Sequence, residues 1–582
     1  SLDINSTGSD NTALGASALG ANTTGNYNVA VGRAALSSNT TGTRNLAIGY
    51  AAYDGSDTEN DNIAIGYEAM TTDTAGGENN VAIGNYTMDA LTSADANVAI
   101  GHYALGAVTT GGTNTAVGYE ALATMTDATR NTAVGKSALQ NATGSFNTAV
   151  GSAALENNST GAQNVAVGDY ALNNNTTASF NTALGQGAML ENTTGTRNMA
   201  IGANAYQNSD TENDNMAIGY NAMIINTAGG TRNIAIGNYA LDALTSGDDN
   251  VAVGYDAGTA INTGSANVAI GAYALDSTTS GDNNTAVGKV ALGANTTGAG
   301  NTAVGYASLD ASSTASNNTA VGLRALSTNS TGADNVAVGK NAALANTTAA
   351  SIVAIGSNTL ESNTTGGENT AVGQGAMQAN TTGTYNIAVG TNALAANVGG
   401  TRNIAIGVNA MDGSDTESDN IAIGYDAMTT NNAGGAGNVA LGHYALDALT
   451  SGDRNIGIGT SALGANTEAG DNTAVGSYAL QATTTGNGLN SAVGAYALQA
   501  VTTGSSNIGI GYKAGENLTD GVNNILIGRN AAAHGISSTS LDACIVIGDY
   551  SDTSAVDSGK QLVMGYNVTG TGNNAFTFGN AA

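Results

Sequence analysis

The sequence predicts an all-β fold, a parallel β-solenoid of about 33 coils with a 17-residue period. The motif Asn-x-Ala-Val/Ile-Gly recurs through almost the whole chain, with 33 anchor glycines between Gly15 and Gly565 and a 17-residue spacing between most of them. The chain also has 82 Gly and no Pro among 582 residues. Self-similarity at a short, fixed period is the signature of a solenoid.

Each copy of the motif predicts one short strand. The residue before the anchor is Val or Ile in 29 of 33 copies, and the residue two before it is Ala in 28. β-Branched residues favour extended backbone. Alternation along a strand places x and Val/Ile on one face, and Asn, Ala and the anchor Gly on the other. A single 17-residue unit buries too little apolar surface to be stable alone, so we expect each coil to cover the apolar residues of its neighbours.

Asparagine stands four residues before the anchor in 30 of 33 copies, and Ile352, Cys544 and Gln561 are the exceptions. In an in-register stack these side chains would form a hydrogen-bonded ladder, which makes the column structural. The rest of the unit reads Asn-Thr-Thr-Gly or a close variant, which suits a turn. The absence of Pro fits strands that pair on both sides. At ~4.8 Å per step, the array would be a rod about 150 Å long.

Three longer stretches, 42–105, 195–253 and 400–446, resemble each other. Each contains Thr-Arg-Asn, then Ser-Asp-Thr-Glu, and leads into Asp-Ala-Leu-Thr-Ser. An 18-residue spacing recurs at the same place, which predicts a one-residue bulge copied with the block. Stacking also predicts Arg–Asp pairs between adjacent coils. The predicted pairs are Arg44 with Asp61, Arg197 with Asp214, and Arg402 with Asp419.

Composition excludes several classes of protein. The formal net charge is −30, from 44 acidic and 14 basic residues, which argues against a nucleic-acid partner. A single Cys excludes a disulfide framework within one chain. The sequence contains no run of 18 or more apolar residues, so it predicts no membrane-spanning helix.

The acidic loop Asp54–Asp61, with counterparts at 210–214 and 412–419, is a candidate Ca²⁺ site because it gathers carboxylates and amides. It lacks the EF-hand spacing. The alternative is a solvated acidic turn whose last Asp pairs with Arg. Metal binding is therefore left open, and the sequence predicts no other cofactor.

No catalytic residue is predicted. His102 and His443 are copies of one position, and together with His534 they offer neither metal-ligand spacing nor a triad. Cys544 is expected to be a buried thiol, with an inter-subunit contact as the alternative. Gly457-Ile-Gly459 arises from the repeat and lacks the strand–helix context of a phosphate site.

Most of the 22 tyrosines fall on two adjacent columns and predict a stripe along the stack. Those that directly follow an anchor Gly are Tyr50, Tyr67, Tyr119, Tyr220, Tyr255, Tyr306, Tyr425, Tyr512 and Tyr566. Those one place further are Tyr86, Tyr103, Tyr170, Tyr239, Tyr273, Tyr444, Tyr478 and Tyr496. The stripe is either a glycan-binding strip or a packing surface over a strand edge or another subunit.

The motifs Asn-Thr-Ala-Val-Gly-x-x-Ala-Leu and Asn-Ile-Ala-Ile-Gly resemble the YadA-type head repeats of trimeric autotransporter adhesins, over roughly residues 11–528. The resemblance implies a left-handed parallel β-roll, three chains around one axis, and an adhesive surface outside bacteria. In such a trimer the small Ala/Gly/Asn face is the expected contact at the axis. The unit here is longer than the family's, and no stalk, anchor barrel or signal peptide is expected in this chain. Similar arrays also resemble phage tail-fibre shafts, whose cleaved C-terminal chaperone would leave an end such as 565–582.

The sequence therefore predicts a non-enzymatic extracellular fibre on a cell or virion surface, homotrimeric, that attaches to another surface through a receptor or glycan. Two alternatives stay open. One is a subunit of an end-to-end extracellular filament, and the other is a glycan- or calcium-dependent lectin-like module. Residues 1–10 are expected to form an N-terminal cap, 11–528 the solenoid array, and 529–582 irregular C-terminal coils, a cap or a tip.

Overall fold

The structure, a computed structural model, describes residues 4–73, 76–533, 539–554 and 559–580. The chain divides into two compact units, Ser1–Lys289 and Val290–Ala582. In both units the described residues form parallel strands and turns, with no helix. Each unit is a parallel β-solenoid with the 17-residue period that the sequence predicts.

Unit 1 contains strands β1 to β17 among its described residues. Each is three residues long and ends just before an anchor Gly. Their bounds are Thr12–Leu14, Val29–Val31, Leu46–Ile48, Ile63–Ile65, Val81–Ile83, Val98–Ile100, Thr115–Val117, Thr132–Val134, Thr148–Val150, Val165–Val167, Thr182–Leu184, Met199–Ile201, Met216–Ile218, Ile234–Ile236, Val251–Val253, Val268–Ile270 and Thr285–Val287.

Unit 2 contains strands β18 to β34 among its described residues. Their bounds are Thr302–Val304, Thr319–Val321, Val336–Val338, Val353–Ile355, Thr370–Val372, Ile387–Val389, Ile404–Ile406, Ile421–Ile423, Val439–Leu441, Ile456–Ile458, Thr473–Val475, Ser491–Val493, Ile508–Ile510, Ile525–Ile527, Ile545–Ile547, Leu562–Tyr566 and Phe576–Asn580.

Within each unit, consecutive strands pair in parallel and identical columns face each other. Ala30 of β2 lies opposite Ala47 of β3, which lies opposite Ala64 of β4. Outside the strands, backbone bonds also join successive coils, as from Leu36 N to Ala52 O at 3.1 Å. The ladder therefore extends around the coil, which accounts physically for the absence of Pro.

Left-handed backbone positions bend each coil. In the coil that follows Gly32, the φ angles of Ala34, Leu36 and Arg44 are 61°, 50° and 60°. Anchor glycines such as Gly49, with φ of 141°, have no room for a side chain, since a Cβ would lie 2.1 Å from the carbonyl oxygen of Gly66. The anchor column thus requires Gly, whereas inter-coil hydrogen bonds and burial hold ordinary residues in the other bends.

Small and apolar side chains fill the inside of each coil. The Ala column of the strands and the Leu/Met column four residues after the anchor are fully buried, as at Ala30 and Leu36. The expectation that the Ala/Gly/Asn face meets other chains is wrong, because this face lies inside its own coil. The outward face carries x and Val/Ile instead.

The predicted asparagine ladder is confirmed. Asn45 donates its backbone N–H to Asn28 Oδ1 at 2.9 Å, and Asn28 Nδ2 donates to Gly42 O at 2.8 Å. Asn side chains of adjacent coils also bond directly in places, as from Asn97 Nδ2 to Asn80 Oδ1 at 3.2 Å. Each side chain therefore joins a strand to a turn and one coil to the next.

A second buried asparagine column begins the Asn-Thr-Thr-Gly turns. Asn39 Nδ2 donates to Asn22 Oδ1 at 2.9 Å and to Gly42 O at 3.2 Å. The sequence predicted only a turn here. In other coils, Leu91 or Val108 occupies this column and is equally buried.

The two ends predicted as caps contain parts of the same stack. Ser6 N donates to Thr23 O at 3.0 Å, so residues 5–10 already form the turn half of a coil. β32, β33 and β34 extend parallel pairing through the C-terminal region. Residues 1–3, 534–538, 555–558 and 581–582 of these regions lie outside the described residues.

Candidate functional surfaces

The outward strand face is formed by the first and third residue of each three-residue strand. These side chains are half-buried or exposed, and Ile387 and Val389 of β23 are 39% and 38% exposed. Neither of these two columns contains a charged residue in any of the three-residue strands whose ranges are given above. With ~4.8 Å between strands and ~3.3 Å per residue, the face covers about 800 Å² in each unit. The first-residue column mixes Thr with Val, Ile and Met, whereas the third-residue column is apolar throughout the three-residue strands. Monomeric proteins rarely expose contiguous apolar patches larger than a few hundred Å².

Tyrosine side chains stack from coil to coil, as the predicted stripe requires. The first ladder comprises Tyr50, Tyr67, Tyr86 and Tyr103, with Tyr119 joined to them through the ring of His102. The second comprises Tyr220, Tyr239, Tyr255 and Tyr273, and the third comprises Tyr478, Tyr496 and Tyr512. The centroids of neighbouring tyrosine rings in contact lie 5.1 to 6.0 Å apart. Stacked pairs cover part of each other's faces, which leaves less open ring surface for a sugar than separate tyrosines would.

The predicted Arg–Asp pairs are confirmed. Nε of Arg44, Arg197 and Arg402 lies 2.5, 2.6 and 2.6 Å from a carboxylate oxygen of the predicted Asp one coil later. Hydrogen bonds from Arg44 lower the pKa of Asp61. The same column also pairs Arg232 with Asp249 and Arg454 with Asp471. The residues of these two pairs are also 17 positions apart in the sequence, so the same spacing rule could have predicted them.

The acidic loop folds its glutamate inward. The Glu59 carboxylate accepts N–H groups from Asp57 at 2.8 Å, Thr58 at 2.9 Å and Gly76 at 3.2 Å. Glu212 and Glu417 repeat the arrangement with Gly229 and Gly434. In each copy, the third donor belongs to the 18-residue coil that follows. The copied loop and the copied bulge are therefore one structural module, a link that only the fold reveals.

The same loop contains the candidate calcium ligands. Asp61 is paired with Arg44, and Thr40 Oγ1 donates to Asp57. Among the residues that the structure describes, no group of three or more His, Cys, Asp or Glu is arranged to hold a metal ion. The calcium site stays a hypothesis.

A buried tyrosine and carboxyl group lie next to this loop. Tyr53 Oη donates to Asp73 Oδ2 at 2.8 Å, and Gly77 N donates to Asp73 Oδ1 at 3.1 Å. Burial raises the pKa of Asp73 to about 7, although the Tyr53 hydrogen bond opposes the shift. Tyr53 and Tyr206 replace the usual Leu/Met where Ser56 and Ser209 replace the turn Asn. This paired substitution was the sequence signal that could have revealed them.

The other candidate residues hold structural positions. His102 stacks on Tyr119 at 5.3 Å, and its copy His443 lies 6.0 Å from Tyr425. Cys544 is buried as predicted, and burial raises the pKa of its thiol. Gly457 occupies the Ala column of β27, and Gly459 is an anchor. His534 lies outside the described residues.

No family model matches the chain, and no curated protein matches its sequence. The resemblance to adhesin head repeats therefore stays an inference from the motif. Within the described part of the chain, no helix has the length and apolarity needed to cross a lipid bilayer.

Proposed function

We propose that this protein is a non-enzymatic structural fibre that works outside the cell, on a cell or virion surface, and attaches to another surface through a receptor or glycan. Three copies assemble side by side in this proposal. The observation that carries it is the uncharged outward strand face, which each unit presents along its whole stack.

The size of this face supports self-association. About 800 Å² per unit is comparable to the ~800 Å² that each partner contributes to a stable interface. Val and Ile on a regular strand surface suit close packing against an identical surface. The net charge of −30 per chain favours contact through these uncharged columns rather than through the acidic turns.

The surroundings of the candidate reactive groups support a structural role. The Glu59 carboxylate is occupied by backbone N–H groups, Asp61 is paired with Arg44, and the Cys544 thiol is buried. Titratable groups with strongly shifted pKa values in a surface cleft would instead indicate a catalytic site. Here Asp73, whose pKa is strongly raised, lies inside a coil.

The mass in solution tests the assembly. We expect a species with three times the mass of one chain, which is 56.8 kDa. Sedimentation equilibrium measures this mass independently of molecular shape. A species with the mass of a single chain at micromolar concentration would contradict the trimer.

A charged substitution on the outward face locates the interface. We expect Val389→Lys to shift the equilibrium towards the monomer while the far-ultraviolet circular dichroism stays unchanged, because the new charge would be buried between copies. Thr382→Lys is the matched control, since this exposed turn residue lies in the same coil. Equal masses for the two variants would place the interface elsewhere.

Attachment is tested separately from assembly. Flanking genes for a membrane-anchor barrel or for tail assembly would support a surface fibre, whereas genes for a soluble metabolic pathway would oppose it. Fluorescently labelled protein should also remain on intact cells after washing. Retention no greater than that of an equally acidic control protein, on every cell type tried, would contradict attachment.

A further inference from the structure

The first tyrosine ladder combines exposed rings with carboxylates. Tyr67 and Tyr119 are 42% and 48% exposed. The Glu68 carboxylate beside Tyr67 raises the pKa of this tyrosine, and Glu120 does the same to Tyr119. The strip is therefore both aromatic and acidic.

Two more carboxylates interact electrostatically with Glu68. Asp54 and Asp89 lie one coil to either side of Glu68. Burial raises the pKa of both, and the negative charge of Glu68 adds to the shift. Within the described residues, no Lys or Arg comes within ion-pair distance of these three carboxylates or of Glu120. The strip has an uncompensated negative charge next to π-faces that attract cations.

At Tyr50, Tyr496 and Tyr550, the chain places its own cations on tyrosine rings. Arg33 Cζ lies 5.7 Å from the ring centroid of Tyr50, at the start of the first ladder. Lys513 Nζ lies 5.6 Å from the ring of Tyr496, and Arg529 Cζ lies 4.7 Å from the ring of Tyr550. These contacts show which chemical group the tyrosine columns accommodate, a guanidinium or an ammonium.

We propose that the first ladder, from Tyr67 to Tyr119 with Glu68 and Glu120, binds a basic segment of polypeptide through its Arg and Lys side chains. From Tyr67 to Tyr119 the ladder spans three coil steps, or about 14 Å. An extended segment of about four residues has the same length. Several cations carried on one chain match carboxylates spread over several coils, which a single small cation does not.

The inference goes beyond the proposed fibre function, because binding of such a segment needs neither the trimer nor a particular target surface. The probe is octa-arginine, and the control ligand is octa-citrulline, which has nearly the same shape without the charge. Isothermal titration calorimetry with the full chain measures both affinities. We expect octa-arginine to bind at least tenfold more tightly.

Two triple variants separate the ladder from the general negative charge of the chain. We expect Tyr67→Leu, Tyr86→Leu and Tyr103→Leu together to weaken octa-arginine binding at least about tenfold, since each solvent-accessible ring contributes about two- to fivefold. The matched control changes the third ladder, Tyr478→Leu, Tyr496→Leu and Tyr512→Leu, where Lys513 already occupies the rings. Both variants keep the net charge.

An equal loss in the two triple variants, or no loss in the first, would overturn the proposal. Circular dichroism and sedimentation first establish that each variant is folded. If the first triple variant does not fold, Glu68→Gln with Glu120→Gln takes its place. This pair must weaken octa-arginine binding more than Asp334→Asn with Glu468→Gln, which removes the same charge from unit 2. Equal losses of octa-arginine affinity in these two double variants would also overturn the proposal.

Discussion

Asp73 occupies a position where the other two copies of its block carry Asn226 and Asn431. Those amides donate to the carbonyls of Gly230 and Gly435 at 2.7 and 2.8 Å. An ionised Asp73 has no hydrogen to donate, and it faces Tyr53 and the negative charges of Glu59 and Asp95. The replacement of an amide NH2 group by a carboxyl oxygen therefore changes a neutral position of the turn-side asparagine column into one that titrates.

We expect Asp73→Asn to remove a pH dependence of stability. The folded pKa is about 7 and the ordinary value is 3.8, so the folded state binds the proton more tightly. The contribution of Asp73 is therefore complete below about pH 4 and is lost as the pH rises through 7, by up to about 4 kcal/mol. Hydrogen exchange of coils 49–90 at pH 5 and pH 8 measures it.

The reciprocal change is the control. Asn226→Asp places a carboxyl group next to Tyr206, whose hydroxyl lies 3.2 Å from Asn226 Nδ2, and should create the same dependence in the second block. Parallel pH profiles for the original protein and Asp73→Asn would contradict the explanation.

The strand-side Asn column makes a second prediction. Asn164 Oδ1 accepts from Asn181 N at 2.9 Å, and Asn164 Nδ2 donates to Ala178 O at 2.8 Å. Asn164→Ala leaves the buried Asn181 N–H unpaired, whereas Ala178 O keeps a hydrogen bond from Asn175 Nδ2 at 3.1 Å. Local opening should therefore become easier by about 1 to 3 kcal/mol. Hydrogen exchange of coils 151–185 checks this. Thr160→Ala, at an exposed turn position of the same coil, should change opening by less than about 0.5 kcal/mol.

At the scale of the coil, the glutamate and the bulge of the next coil form one element. Deleting Gly434 should restore a 17-residue coil and remove its N–H from Glu417 Oε1, now 3.0 Å away. In a double-mutant cycle with Glu417→Ala, we expect a coupling of about 1.5 to 3 kcal/mol, typical of hydrogen bonds to charged groups. The measurement is local hydrogen exchange.

The fourth 18-residue coil is the matched control. It lies between Gly476 and Gly494, and Ala469 stands in the preceding coil where the module has Glu417. Deleting Gly486 should therefore not couple to Ala469→Gly. A coupling as large as that of Glu417 with Gly434 would show that any bulge, rather than the glutamate, determines the effect.

The period, the strands, the Asn ladder, the Arg–Asp pairs and the tyrosine stripe were predictable from spacing, because identical residues one coil apart must meet. The path of the chain between strands was not. Leu36 and Ala34 have left-handed backbone conformations that neither residue type signals. The inward direction of the Ala face follows from those bends, so the outward face could not be assigned from alternation alone.

At the scale of a whole unit, each coil contacts only its neighbours, so coils should be removable. Deleting residues 323–339, one complete period of unit 2, should leave every column in register. We expect the far-ultraviolet circular dichroism per residue to be unchanged and the melting temperature to fall by only a few degrees. Deleting residues 323–330 should instead disrupt the following coils. Similar melting temperatures for the two deletion variants would contradict the hypothesis that the alignment of identical columns sets the strand register.

The inter-coil hydrogen bonds also have a mechanical consequence. They point along the direction in which coils are stacked, so tension on the two ends of a unit would load one coil at a time. Each coil that peels away would release about 55 Å, the extended length of one period less one coil spacing. An optical trap should record a series of small, equal extensions, whereas one large rupture per unit would contradict this. A unit would then dissipate a sudden pull in many small steps and keep its remaining coils folded.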